Sequence, residues 1–167
     1  MEEDGGFRSV KLEDYLGENR SFVSGEGGKR SFEVDYRING SGVLRASIVF
    51  KGGSTGPPGH AHGGATAAVL DESMGIACWF KGIPVVTKRL TVDFIKMVPV
   101  GSITELRTEV DDRGEGDVKT RSRLTDVTGE KVYATAEGRY ARVPLSRFGN
   151  IGMNLEGKIE MTEKRPR

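Results

Sequence analysis

Residues 65–80 read ATAAVLDESMGIACWF, a stretch in which only Asp71 and Glu72 carry charge. A helix with this sequence is apolar round most of its circumference, and such a helix has to be buried. It is too short and too polar to cross a bilayer, so the rest of the chain must cover it. The flanking segments supply the cover. Phe32, Val34, Tyr36 and Ile38 alternate with polar residues, as do Leu44, Ala46, Ile48 and Phe50. This is the two-residue period of a strand with one wet face. Asn39-Gly40-Ser41-Gly42 between them is turn chemistry, so the pair reads as a hairpin.

Gly82-Ile83-Pro84 stops the helix, and four more strand candidates follow at 85–95, 102–110, 117–126 and 131–143. Pro99-Val100-Gly101, the segment 111–116 and Thr128-Gly129-Glu130 separate them. The order is strand, strand, helix, four strands. A single long apolar helix in that order is covered by a sheet that curls around it. The expectation is an α+β domain, with a curved antiparallel sheet of about six strands wrapped on one central helix.

A length of 167 residues suits one such domain. The polar, Gly-rich segment 1–30 reads as an extension, with 10–16 its one short helix candidate. The domain itself spans 31–144, and 145–167 is a tail with weak periodicity. Net charge is +1 with both signs interspersed, which makes no electrostatic case for nucleic acid or a membrane as partner. Met1 to Asp4 is acidic and no apolar segment follows, so a secretory signal is not expected. The single cysteine, Cys78, excludes an intrachain disulfide and fits a reducing cytoplasm. Its place in the apolar helix reads as a small buried hydrophobe. A soluble cytoplasmic protein is the expectation.

A carboxylate inside an apolar helix is costly unless it is paired, hydrated or poised for chemistry. At helical spacing Asp71 shares a face with Gly64, Ala68, Gly75 and Cys78, small residues that let another molecule come close. The plain alternative is neutralisation by a cation from a neighbouring strand, such as Arg89. Glu72 lies among larger apolar neighbours and is the weaker candidate. Upstream stands His62-Gly63-Gly64. At a helix start the first N–H groups lack intrahelical partners and the dipole favours negative charge, so a polarised carbonyl oxygen can be held there. A tight turn needing glycine for shape alone is the favoured reading of the pair taken in isolation. His60 and His62 form an H-x-H pair, but zinc needs further ligands, so no metal is expected. The stretch Gly52-Gly53-Ser54-Thr55-Gly56 lacks the spacing of a phosphate-binding loop.

The run His62-Gly63-Gly64-Ala65-Thr66-Ala67-Ala68-Val69-Leu70-Asp71 resembles the H-G-G-x-x-x-x-x-x-D motif of hotdog-fold acyl-CoA thioesterases. The likeness is to the phenylacetate-pathway (PaaI-like) type and its eukaryotic thioesterase-superfamily relatives, and it extends from about residue 33 to 143. It implies hydrolysis of an acyl-CoA thioester, with Asp71 activating water or attacking directly. Gly63 matches the glycine whose N–H polarises the thioester carbonyl, and His62 the motif histidine that shapes the site. Thr87 matches a water-orienting hydroxyl contributed across a dimer interface. A homodimer or dimer of dimers follows from the resemblance, and no cofactor does, CoA being part of the substrate. Gly64, Lys88, Arg89, Lys96 and Arg113 are the candidates for holding it. Two departures stand out. Gly56 occupies the place where relatives often carry Asn, and the late turn reads Arg113-Gly114-Glu115-Gly116-Asp117 where many carry Arg or Lys for CoA phosphates. A hotdog dehydratase and a non-catalytic acyl-CoA binder are the rival readings; the first lacks its H-F-P-G-x-P signature here.

Overall fold

A computed structural model describes residues 6–10, 12, 21–39 and 41–148. Seven strands form one sheet: β1 (Arg8–Val10), β2 (Phe32–Ile38), β3 (Leu44–Phe50), β4 (Val85–Phe94), β5 (Ile103–Asp111), β6 (Val118–Asp126) and β7 (Val132–Arg142). Helix α1 (Gly63–Phe80) lies between β3 and β4 in the chain. The spatial order is β1-β2-β3-β5-β6-β7-β4, and every neighbouring pair is antiparallel. The six strands expected from alternation all form, with ends within about two residues of expectation.

The seventh strand corrects the reading of the extension. Arg8–Val10 pairs with Tyr36–Ile38, so the expected helix at 10–16 begins instead at a strand residue. Three residues are too few for a period to show. Leu12 is buried, whereas residues 11 and 13–16 lie outside the described residues, as does the tail beyond 148.

The inward sides of the strands and one side of α1 make the core. Leu44, Ala46, Ile48 and Phe50 from β3 are fully buried, and Val69, Leu70, Met74 and Ala77 meet the sheet from the helix. Burying each larger side chain contributes about 1.5–3 kcal/mol, which explains why a helix so poor in surface residues is stable here. The outward side is charged. Arg37, Arg45, Arg107 and Arg123 are register partners across β2, β3, β5 and β6. Like charges placed directly opposite repel. Acids in the adjoining rows offset them: Arg37 pairs with Glu105 at 3.2 Å and Arg107 with Glu109 at 2.9 Å.

β4 departs from simple alternation. Thr87 pairs with Tyr140 and Arg89 with Arg139, leaving Lys88 as an extra residue in a β-bulge. Without it, Arg89 and Thr91 would share the face of Val85 and Thr87. With it, Leu90 and Val92 turn inward onto the core, and Arg89 and Thr91 line a groove on the outer face.

Glu72 fastens the extension to the helix. Its carboxylate accepts from Ser21 Oγ, the Val23 N–H at 3.2 Å, the Ser24 N–H at 3.1 Å and Tyr36 Oη at 3.2 Å. Burial and the Glu72 charge push the Tyr36 phenol well above its ordinary range, so it remains a donor. This settles the sequence's weaker acid as an anchor. Glu72→Leu should cost about 2–3 kcal/mol in urea denaturation, because it strands these donors, and Glu72→Gln, which keeps an acceptor, should cost less.

Candidate active site

Asp71 sits half-buried where α1 crosses the end of β7 and β4. Thr87 Oγ1 donates to its Oδ1 at 2.9 Å, with a longer approach of 3.2 Å to Oδ2. Tyr140 Oη lies 2.8 Å from Oδ1 and 3.0 Å from the Asp71 main-chain oxygen. Burial and the Asp71 charge hold the Tyr140 hydroxyl far above its ordinary value, so it keeps its proton and donates. Among the described residues no cation pairs with Asp71. Arg89, the neutralising partner weighed from sequence, is turned to the opposite face by the bulge.

Two points go beyond the sequence reading. Thr87 meets Asp71 within one chain, because Thr87 and Tyr140 are register partners beneath the same helix. Tyr140 was not among the candidates. Its one signal was Gly138, two residues earlier on the same strand face: a Cβ there would lie 2.4 Å from Tyr140 Cε2.

At the helix entrance His62 is the N-cap, and its Nδ1 accepts the Gly64 N–H at 2.9 Å. That places the proton of the neutral ring on Nε2. The Gly64 N–H is therefore spent on the cap, while the exposed Gly63 N–H has no acceptor among the described residues. A Cβ on Gly63 would meet the Phe94 ring at 3.6 Å, an ordinary contact, so the chain's own packing does not demand glycine there. Gly56 is different. A Cβ would lie 2.7 Å from His62 Cα, which leaves no room for an asparagine in this conformation. His60 is engaged separately, its Nδ1 2.9 Å from the Pro58 carbonyl. Among the described residues no three His, Cys, Asp or Glu side chains gather as a metal site. Cys78 is buried in the core, which raises its thiol to about 12.

The two clusters do not meet. Gly63 and Asp71 are eight residues apart on one helix, about 12 Å at the α-helical rise. The basic candidates are dispersed as well. Lys88 and Arg139 share Asp117 at 3.0 and 2.9 Å, holding that carboxyl below its ordinary range. Arg113 pairs with Asp111 at 3.5 Å, and Lys96 is exposed just after β4.

A sheet curled on one helix, entered at a pair of glycines, has the architecture of the hotdog fold. Comparison with known proteins agrees: the Thioesterase superfamily profile matches residues 58–133. The human protein named acyl-coenzyme A thioesterase THEM5 is 29% identical over 103 residues, which are 60% of this chain and 42% of the relative. The chain thus spans less than half the length of the curated relatives it matches. In fold it resembles the E. coli PaaI protein from the phenylacetic acid degradation operon, with TM-score 0.59, 17% identity, and 68% of this chain and 80% of that one covered. It also resembles smu.793 of Streptococcus mutans, solved bound to acetyl CoA, with TM-score 0.63, 18% identity and coverage of 77% and 96%. No helix among the described residues is long and apolar enough to cross a membrane.

The glycine contacts make opposite forecasts for two positions. Gly63→Ala should leave the melting temperature nearly unchanged. Gly56→Ala should lower stability by about 1–3 kcal/mol, the usual cost of overpacking. Thermal melts of the two variants check this.

Proposed function

We propose that the protein hydrolyses acyl-CoA thioesters to a free carboxylic acid and CoA. One observation carries the reading: Asp71, on a helix face of small residues, is held by two hydroxyl donors and, among the described residues, by no cation. A structural ion pair would have spent this charge, whereas here it is oriented and free to act on a proton or a carbon. The names of the curated relatives and the acetyl CoA bound by smu.793 support the substrate class. In the reaction Asp71 takes a proton from water as that water adds to the thioester carbon, or adds to the carbon itself to give an anhydride that water then opens. In either case the carbonyl oxygen gains negative charge, which the Gly63 N–H stabilises, and the CoA thiolate leaves.

The separation of about 12 Å along the helix favours a composite site, with Asp71 and Thr87 from one copy and the Gly63 entrance from another, because the carbonyl must lie about 3 Å from the N–H that polarises it. The edge of the sheet favours this. Among the described residues only one side of β4 is paired, and Val86 and Phe94 on β4, with Ile95 and Met97 after it, are exposed. Pairing β4 with its own copy about a two-fold axis covers those groups and sets the two helices antiparallel. Of the candidate cations for CoA phosphates, Lys96, exposed just after this strand, is the one proposed here, since Lys88 and Arg113 are paired with Asp117 and Asp111 and Arg89 lines the outer face.

Asp71→Asn should lower turnover by on the order of 10²-fold or more with the fold intact; near wild-type turnover would remove Asp71 from the reaction. Complementation tests the composite site. Gly63→Val alone should also be nearly inactive, by roughly 10²- to 10³-fold. Co-expressed one to one with Asp71→Asn, it should recover about a quarter of wild-type turnover, because half of the dimers are mixed and each holds one intact site of two. No recovery from mixed dimers isolated by two affinity tags would refute the shared site.

A further inference from the structure

We infer that Tyr140 is the positioning residue of the site: its hydroxyl fixes Asp71 Oδ1 so that Oδ2 is the oxygen that reacts. This rests on the thioesterase reading and deepens it. The two oxygens of Asp71 are not equivalent. Oδ1 accepts from both Tyr140 Oη and Thr87 Oγ1, at 2.8 and 2.9 Å, whereas among the described residues the only approach to Oδ2 is the longer one from Thr87 at 3.2 Å. A carboxylate pinned at one oxygen by two donors can rotate little about its χ2, and that torsion is otherwise broad. The same Tyr140 hydroxyl lies 3.0 Å from the Asp71 main-chain oxygen. It therefore registers the side chain against its own helix as well as against β7.

The chain clears space for this contact. Tyr140 is 1% exposed, and its ring passes between Gly75 on the helix and Gly138 on its own strand. A Cβ at Gly138 would lie 2.4 Å from the ring and 2.6 Å from Thr120 Oγ1; at Gly75 it would lie 3.8 Å from the other ring edge. Gly138 thus stands mid-strand, where glycine weakens a sheet, at a place of close approach. The small-residue face of α1 likewise serves an occupant within the chain. The ring alone would fill the slot, and only the hydroxyl reaches Asp71. Burial keeps its proton in place, so Tyr140 orients without exchanging protons with substrate.

The test separates hydroxyl from ring. Activity is measured with whichever thioester the wild type turns over fastest in a panel from acetyl- to palmitoyl-CoA, scaled to the folded fraction by circular dichroism. Tyr140→Phe should lower kcat about ten-fold or more with KM within about two-fold, because misplacing a reacting group costs rate rather than binding. Tyr140→Leu should lower kcat to a similar extent while also lowering the melting temperature. In an Asp71→Asn background Tyr140→Phe should cause no further loss, as expected of groups acting as a unit. A purely structural tyrosine gives the reverse: Phe equal to wild type in kcat and Leu impaired, which overturns the inference. An equal loss from Tyr140→Phe with Asp71 already removed overturns it too, since the residue would not be acting through Asp71. If the wild type hydrolyses no member of the panel, the thioesterase reading fails and takes this role with it. That outcome is distinct from an active enzyme indifferent to the hydroxyl.

Discussion

Burial of α1 against the inner face of the sheet governs everything else in this molecule. A helix containing Val69, Leu70, Met74, Ala77 and Cys78 cannot stand in water, and the sheet has to curl because one flat face would leave too much of it uncovered. That contact also decides which polar groups can exist at mid-helix. Two adjacent acids enter it and are treated differently. Glu72 is surrounded by donors from the extension and β2, and becomes a fastening. Asp71 meets hydroxyls from β4 and β7, and its charge remains available. A step of one residue along a helix is a rotation of about 100°, and here that rotation gives the two acids different sets of donors.

Most of the fold was legible because most of it follows one rule. Wherever a strand has one face on the helix and one in water, its residues alternate, as β2, β3, β5 and β6 do and as β7 does after the irregularity at Tyr133. The helix was legible from its lack of polar positions. β1 was not, since three residues with one buried side chain carry no period. In the site, Asp71 and the Gly63 entrance were readable from residue type and spacing. Their separation of eight residues along one helix could also be counted in the sequence. Tyr140 could not be found that way. A tyrosine in an alternating strand is ordinary core, and its pairing with Thr87 is fixed by a register that composition does not reveal.

The entrance to the helix shows how a short motif can hold several distinct constraints. Gly56 is required by the backbone of His62, and Gly64 supplies the N–H that the His62 ring caps. Gly63 is required by neither, because the chain leaves room for a side chain there. Of three glycines that look alike in sequence, one thus answers to packing, one to capping and the third to neither. Even the absent asparagine has a local cause in the space that His62 fills.

The bulge in β4 has a meaning best put as parity. In an unbroken strand, odd and even positions face opposite ways, so fixing one side chain fixes all of them. Lys88 inverts that rule once. Before it, odd-numbered Val85 and Thr87 face the helix; after it, even-numbered Leu90 and Val92 do. A single strand is thereby split into two segments whose orientations are set independently, one serving the carboxylate and the other the core. Sequences of this type should accordingly tolerate change of residue type between 87 and 90 far better than change of length. Losing or gaining one residue there would exchange the wet and dry sides of half a strand.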